Sequence, residues 1–239
     1  MKEPFVVSEY DFYIPIDKML KFALVTDLHN GDGAAVLKTI LQNHVDAILI
    51  AGDFIHDERR YEQGIDFLKR CAAVLPTFCS LGNHEARFKE KNIRLLVKNS
   101  GATLLDNEDT LFCGVRIGGL TGLSEKQTAK GETPNLAFLK EFSQKDGYKI
   151  LLCHQPEHYD KYVRKYPIQL TLSGHAHGGQ WRFFGRGVYA PGQGLFPKFT
   201  SGLYEGKLLV SRGLANPQKI PKIGNREELI LLNFYSVQY

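Results

Sequence analysis

The chain has 239 residues, of which 43% are hydrophobic and 23% are charged, and its formal net charge is +4. This length and composition are those of an ordinary folded protein, and they exclude a disordered chain. The apolar runs have the length of a strand, far below the ~20 residues that span a bilayer, so no membrane-spanning segment is expected.

In the first hundred residues, short apolar runs alternate with segments of helical periodicity. The runs at 22–26, 45–51 and 77–81 predict strands, and a predicted helix follows each of them. This alternation predicts right-handed crossovers and a largely parallel sheet.

After residue 104 the sequence contains more strands and fewer long helices. Thr133 and Pro134 predict the N-cap and the first turn of a helix that extends through Phe142. Strands are predicted at 111–120, 149–153, 170–173, 207–211 and 229–234. The sequence therefore predicts an α/β fold in which two packed sheets have helices outside them, built as a single domain over residues 1–239.

Five short polar motifs each follow a predicted strand. They are Asp27-Leu28-His29, Gly52-Asp53, Gly82-Asn83-His84-Glu85, His154, and Gly174-His175-Ala176-His177. Ligands of α/β folds gather beyond the carboxyl ends of strands, so these motifs are expected to converge. In near-extended backbone, residues two apart point the same way, so each Asp-x-His or His-x-His pair is expected to reach a common centre.

The side chains in these motifs are typical metal ligands. Carboxylate, imidazole and amide donors without any thiolate suit Mn, Fe, Zn or Co, and suit Mg less well. The candidate ligands are Asp27, His29, Asp53, Asn83, His154, His175 and His177. They exceed what one ion accepts while a water remains, so two divalent ions that share one carboxylate are predicted.

Each motif alone is weak evidence. A Gly-Asp dipeptide or a single histidine is more often part of a turn or a structural residue, whereas the ordered combination favours a metal site. His44, His56 and His158 lie outside the motifs and are interpreted as surface or structural residues. Among these three, His56 is the candidate for a place in the site, because it closely follows Asp53.

The order D-x-H, G-D, G-N-H-E, H, G-H-x-H resembles the calcineurin-like metallophosphoesterase superfamily over residues 27–177. The resemblance implies a four-layer α-β-β-α sandwich, in which two mixed sheets are flanked by helices. It implies that Asp27, His29 and His177 hold one ion, that Asn83, His154 and His175 hold the other, and that Asp53 bridges both. His84 would stay free of metal. Because it is adjacent to Asn83, we expect it to act at the leaving oxygen as general acid or transition-state stabiliser.

Two further segments, 178–180 and 210–214, resemble a bacterial branch of small phosphohydrolases. Members of that branch are often membrane-associated, and some act on nucleotide-linked lipid or cell-envelope phosphodiesters. The chain departs from them in lacking an N-terminal anchor and in having Ala215 where a glycine is common. We expect a cytoplasmic protein, with peripheral contact with an anionic membrane as the open alternative.

The predicted activity is that of a dinuclear phosphodiesterase or pyrophosphohydrolase, in which a hydroxide held between the ions attacks phosphorus. The expected partner is a phosphate-ester small molecule or a lipid or cell-envelope phosphodiester. One alternative is a nuclease, although a chain of this size leaves little surface for a dedicated nucleic-acid partner. Another is a non-catalytic metal-binding scaffold, which is disfavoured because every ligand position and His84 are filled.

A basic segment follows the histidine motifs. Residues 161–226 carry eleven lysine and arginine residues against one acid, Glu205, which favours an anionic substrate or surface. Arg212 and Arg182 are the candidate substrate contacts. The aromatic residues of this segment either form a rim around a substrate or are strand residues of which alternate ones are buried in the second sheet, and strand composition favours the second arrangement. The glycine- and proline-rich segment 192–199 is expected to be exposed.

Overall fold

The computed structural model of the protein describes residues 4–217 and 220–237. Its strands are, in chain order, β1 (Val6–Ile14), β2 (Leu20–Val25), β3 (Ala47–Ala51), β4 (Thr77–Ser80), β5 (Thr103–Leu104), β6 (Glu108–Phe112), β7 (Val115–Leu120), β8 (Tyr148–Cys153), β9 (Leu170–Ser173), β10 (Arg182–Phe183), β11 (Arg186–Gly187), β12 (Tyr189–Ala190), β13 (Gly194–Leu195), β14 (Gly202–Tyr204), β15 (Leu208–Val210) and β16 (Glu228–Ser236). Its α-helices are α1 (Ala34–Gln42), α2 (Glu62–Ala72), α3 (Ile93–Ser100), α4 (Glu125–Ala129) and α5 (Leu136–Gln144).

Twelve of these strands form two six-stranded sheets. The first has the order β1-β16-β2-β3-β4-β5, and its neighbours are parallel except for β16 and β2. The second has the order β14-β15-β9-β8-β7-β6, with four parallel central strands and antiparallel strands at both edges. Both sheets are therefore mixed. The pairs β10–β11 and β12–β13 form short separate hairpins.

The two sheets pack face to face around a buried apolar core. Successive side chains of a strand point to opposite faces. In β2, Phe22 and Leu24 accordingly lie between the sheets, whereas Ala23 and Val25 lie against the helices. Full burial of a side chain such as that of Leu24 stabilises the fold by about 1.5–3 kcal/mol.

Helices cover the outer face of each sheet. On the first sheet, α1, α2 and α3 contribute Ile40, Phe67 and Val97 to the outer core. On the second sheet, α5 contributes Phe142, together with the π-helical segment Tyr159–Val163. The predicted order of four layers, helices, sheet, sheet, helices, is confirmed.

Two local predictions differ from the structure, and one strand has no prediction. The segment 111–120 is not one strand, because Cys113 and Gly114 adopt positive φ and turn the chain between β6 and β7. Helix α5 begins after Asn135, whose side chain accepts a hydrogen bond from Phe138 N at 3.0 Å, so the predicted cap at Thr133 is wrong. Strand β1 was not predicted at all, and it pairs with β16 along its whole length.

The prediction of a single domain covers residues 1–239 and stays a prediction. It includes residues 1–3, 218–219 and 238–239, which lie outside the described residues, as does Lys219 of the basic segment. In the ranges 4–217 and 220–237, no helix has the length and apolar character needed to cross a bilayer.

Candidate metal centre

The predicted motifs meet at the carboxyl ends of parallel strands from both sheets. In the first sheet Asp27 follows β2, Asp53 follows β3 and Asn83 follows β4, and in the second sheet His154 follows β8 while His175 and His177 follow β9. The site therefore lies where the ends of the two sheets come together, as expected for ligands of parallel strands.

Hydrogen bonds hold the loops that carry these residues side by side. Asp27 N donates to Gly52 O at 3.2 Å, and His29 N donates to Asp53 O at 3.0 Å, so the loops after β2 and β3 run together. Both carboxylate oxygens of Asp27 lie 3.1 Å from His175 N, which donates to them. This contact joins the first sheet to the second at the site.

Most of the predicted ligands have an unusual backbone conformation. Positive φ angles occur at Asp27 (53°), His29 (45°), Asp53 (52°), His175 (64°) and His177 (47°). The expectation that the two spaced pairs lie in near-extended backbone is therefore wrong. Their side chains converge because the chain turns at each ligand, a conformation that Asp and His adopt more readily than most residues.

The first group of ligand atoms belongs to Asp27, His29 and His177, which lie within 4.8 Å of one another and are all buried. Asp27 Oδ1 lies 3.8 Å from His29 Nε2 and 3.6 Å from His177 Nε2. Atoms at these separations can contact one ion at about 2.0–2.2 Å each.

The second group belongs to Asp53, His154 and His175, again buried and within 4.8 Å. Asp53 Oδ2 lies 3.0 Å from His154 Nε2 and 3.8 Å from His29 Nε2. Asp53 thus faces a residue of each group.

Asn83, the remaining predicted ligand, is buried and held by a hydrogen bond. Its Nδ2 donates to Glu125 Oε1 at 2.7 Å, and Glu125 is held in turn by Arg87. Among the described residues, the buried Asn83 Oδ1 and His29 Nε2 have no hydrogen-bond partner. Because an unpartnered buried polar atom is costly, and because both atoms belong to predicted ligands, the donor set fits divalent metal ions.

Burial and charge shift the pKa values of the clustered histidines. Burial lowers the pKa of His154, but the carboxylates of Asp53 and Asp27 more than offset it and raise the pKa to about 10. Burial and the neighbouring His154 lower the pKa of His175 to about 3. Burial also holds the pKa of His29 well below its usual value. Since ligating imidazoles must be neutral, metal binding would displace the proton of His154.

His84 lies at the margin of the site, with its ring positioned by its neighbours. His84 N donates to Asp53 Oδ1 at 2.9 Å, and its Nδ1 lies 2.5 Å from the carbonyl oxygen of His56, which accepts the Nδ1 proton. The other ring nitrogen, Nε2, is therefore free in the neutral ring and lies 3.8 Å from Asp53 Oδ2. His84 can exchange a proton with a group bound at the site.

The three histidines outside the motifs differ in position. A ring nitrogen of His56 lies within 4.8 Å of ring nitrogens of His29 and His84. This position beside the site agrees with its being the candidate among the three. His44 is exposed, and His158 is buried against Tyr162.

Both predicted substrate contacts have protein partners. Arg212 donates to Glu228 Oε1 at 3.1 Å. Arg182 donates through Nη1 to Gly178 O at 2.8 Å and to Thr200 Oγ1 at 3.1 Å. Their hydrogen bonds support the loops around the site, and contact with a substrate stays a prediction for both.

Four acidic or basic side chains near the site make contacts that the sequence motifs do not predict. Glu85 accepts backbone hydrogen bonds from Asp53, Gly82 and Ile55. Glu125 binds Asn83 from 42 positions away, so spacing gave no signal. Glu157 follows His154 by three residues, which was a usable signal, and Lys222 is buried with its Nζ 3.0 Å from Arg212 O.

Two further acids in the loops after β2 and β3 have partners of their own. Asp57 caps the short 3-10 helix Glu58–Arg60, and Asp32 lies 3.6 Å from Arg70.

The expectation that alternate aromatic residues of the basic segment are buried in the second sheet is wrong for residues 181–196. The exposed ones are Trp181, Phe183, Phe184, Tyr189 and Phe196, whereas Phe199 is buried. They are exposed because 181–195 forms the hairpins β10–β11 and β12–β13 instead of strands of the second sheet. The predicted exposure of 192–199 is confirmed at Leu195 and Phe196, which are 68% and 83% exposed.

Comparison with known proteins agrees with this arrangement. A model of the calcineurin-like phosphoesterase family matches residues 20–179. An uncharacterised metallophosphoesterase of Helicobacter pylori J99 is 28% identical over 73% of this chain and 49% of its own length. One from Campylobacter jejuni is 32% identical over 95% of this chain and 62% of its own length. Phosphodiesterase YaeI of Escherichia coli is 29% identical over 59% of this chain and 52% of its own length.

The chain thus spans about half to three fifths of the length of these relatives. The matched region contains all seven predicted ligands and His84, and it extends from β2 to the end of the last histidine motif. The chain belongs to the calcineurin-like phosphoesterase family, a family of metal-dependent hydrolases of phosphoric esters.

Proposed function

We propose that this chain is a dinuclear metal-dependent phosphodiesterase or pyrophosphohydrolase. The observation that carries the proposal is the position of Asp53, whose Oδ2 contacts His154 of one ligand group and His29 of the other. Two groups that share a carboxylate match the requirement of two ions about 3.5–4 Å apart.

The residues of the two groups would hold the ions, with Asp27, His29 and His177 on one side and Asn83, His154 and His175 on the other. When bound, the ions supply an activated water and offset the negative charge on the phosphoryl oxygens. The nitrogen and oxygen donors favour Mn, Fe, Zn or Co over Mg.

His84 would handle the proton at the leaving oxygen. Its Nδ1 proton is committed to the His56 carbonyl, so the second proton of the imidazolium resides on Nε2, which faces the site. A proton donor held in this way typically accelerates the reaction by ~10²–10⁴-fold.

The test is metal analysis together with hydrolysis of bis-p-nitrophenyl phosphate and p-nitrophenyl phosphate. We expect the wild-type protein to hold two ions per chain and to hydrolyse the diester. Asp53→Asn should lose both the two-ion content and the diester hydrolysis. Asp32→Asn is the matched control, because Asp32 is an exposed carboxylate away from the ligands. Protein that holds no metal and stays inactive with Mn, Fe, Zn and Co would favour the non-catalytic scaffold instead.

The proposed substrate is a small-molecule, lipid or cell-envelope phosphodiester, and the basic segment supports an anionic one. A nuclease grips a row of phosphates, so its substrate binding weakens steeply with salt. A small diester should show only shallow salt dependence. Measuring the Michaelis constant between about 50 and 200 mM salt separates the two substrates, because phosphate-gripping proteins lose affinity steeply over this range.

We also propose peripheral contact with an anionic membrane through exposed apolar side chains of the two hairpins. Phe184 lies at the turn between β10 and β11, whereas Leu195 and Phe196 lie at the end of β13. All three are exposed, and the cations Arg186 and Lys198 lie beside Phe196. Exposed apolar side chains beside cations suit the boundary between headgroups and acyl chains. Such contact would bring a lipid-linked substrate to the site.

Liposome flotation tests the membrane contact. Wild-type protein should float with anionic vesicles more than with neutral ones, and the double variant Phe184→Asn, Phe196→Asn should not. Asparagine is chosen because both positions have positive φ, which it tolerates. Tyr13→Asn removes an exposed aromatic ring from β1 and serves as control. Equal flotation of the double variant and wild type would overturn the contact.

A further inference from the structure

Glu157 is a largely buried carboxylate beside the second ligand group. It follows His154 by three residues and precedes the π-helical segment Tyr159–Val163. Its side chain is 11% exposed. Its Oε2 is buried and, within the described ranges, has no hydrogen-bond partner. A buried carboxylate in this situation is costly unless another group approaches it.

The group that faces Glu157 is the ring of His175, with Oε1 and Nε2 3.8 Å apart. Nε2 of His84 and Nε2 of His154 instead lie within 4.0 Å of Asp53 Oδ2. Among the described residues, Glu157 is the acid whose carboxylate lies within that distance of His175 Nε2. With Nε2 beside Glu157, Nδ1 is the His175 nitrogen that remains for the second ligand group.

A hairpin closes over this pair. Gly192 lies between β12 and β13 with φ +71°, and a Cβ atom there would fall 2.2 Å from Glu157 Oε1 and 3.1 Å from His175 Nε2. Only glycine allows the hairpin to pack so closely. The contact shields the carboxylate and the imidazole from water, which strengthens an electrostatic interaction between them.

We propose that Glu157 is a positioning residue for the second ion: it accepts the Nε2 proton of His175 and so fixes the ring in the tautomer that offers Nδ1 to the metal. A shift of about 1 Å brings the pair from 3.8 Å to hydrogen-bond length. Outer partners of this kind orient a ligating imidazole and raise its basicity. The inference rests on the dinuclear site proposed above.

The test is calorimetric titration of metal-free protein with Mn²⁺, for wild type, Glu157→Ala and Glu157→Gln. Glu157→Ala should weaken binding of one ion by about 10–100-fold and leave the other unchanged. Glu157→Gln keeps the shape and an accepting oxygen without the charge, so it should fall between wild type and alanine. Glu141→Ala, an exposed carboxylate of α5, is the control and should bind both ions as wild type does.

A merely structural role predicts a different result. It would lower the thermal stability of the metal-free variants, whereas removing a buried charge should leave that stability equal or higher. Glu157→Ala and Glu157→Gln that bind two ions with wild-type affinities would overturn the inference and leave the proposed function standing. Wild-type protein that binds fewer than two ions would overturn both.

Discussion

The carboxylate of Glu85 accepts a hydrogen bond from the backbone N–H of Asp53 at 2.9 Å, which ties the loop after β4 to the loop after β3. The same carboxylate accepts hydrogen bonds from Gly82 N at 2.8 Å and Ile55 N at 2.9 Å. One buried side chain therefore satisfies three backbone donors and sets the position of the proposed bridging ligand.

Glu85→Ala should lower the free energy of unfolding by at least about 3 kcal/mol, because each buried donor left without a partner costs about 1–3 kcal/mol. Urea denaturation of the metal-free protein measures this loss. Glu90→Ala, an exposed neighbour, should change the free energy by no more than about 0.5 kcal/mol. Equal stability of Glu85→Ala and Glu90→Ala would contradict the role of these hydrogen bonds.

His84→Ala should keep two ions and lose activity. The His84 ring lies beside Asp53 but donates its Nδ1 proton to a carbonyl, so its removal takes away a proton donor and no predicted ligand. We expect kcat for the diester to fall by ~10²–10⁴-fold. His44→Asn is the control, since His44 is exposed with positive φ. A variant with normal metal content and wild-type kcat would refute the assignment.

Glu125→Ala should weaken binding of the ion next to Asn83. Glu125 accepts the Nδ2 proton of Asn83 and so turns Oδ1 toward the site. Without this contact the amide is free to flip, and the affinity for one ion should fall by about 10–100-fold. Lys126→Ala changes the neighbouring residue of α4, so its metal titration shows whether any alanine substitution in this helix weakens binding. Unchanged affinities in Glu125→Ala would show that the amide is oriented by something else.

Acid should destabilise the fold through His158. Burial and the nearby Lys161 lower the pKa of His158 to about 4, whereas an imidazole in an unfolded chain has a pKa of about 6.5. The unfolded chain therefore binds the proton more readily, and the stability contributed by neutral His158 is present above pH ~6.5 and is lost as the pH falls toward 4.

Urea denaturation of metal-free protein at two pH values measures this effect. Between pH ~7.5 and ~5, wild type should lose about 2 kcal/mol more unfolding free energy than His158→Phe. Phenylalanine keeps the ring that contacts Tyr162 and removes the titrating group. Equal losses in the two proteins would show that other groups cause the acid sensitivity.

The arrangement of the site along the chain could be predicted because it depends on local pattern. Strands with both faces covered read as continuous apolar runs, as Ala47–Ala51 does, so their carboxyl ends are visible in the sequence. Asp53 and His154 directly follow such runs, and parallel neighbours bring their ends together. The order of the motifs then predicted the family, which the comparison confirms.

The parts that escaped prediction depend on tertiary contacts. Glu125 supports Asn83 across 42 positions, which no periodicity reveals. The aromatic residues of 181–196 have strand-like composition, yet glycines at positive φ such as Gly185 turn the chain into hairpins and leave Phe184 exposed. Whether a side chain is exposed depends on which other residues pack against it, and the composition of a segment does not predict those contacts.

Left-handed backbone at Asp27, His29, Asp53, His175 and His177 limits which residues can occupy those positions. Asp, Asn, His and Gly are the residues that adopt this conformation most readily, and three of these four also bind metals. The stereochemistry of the loops and the chemistry of metal coordination thus favour the same few residue types. Attempts to re-engineer the centre for another metal have few unstrained substitutions to draw on, because glutamate, cysteine and methionine adopt this backbone conformation less readily than aspartate or histidine.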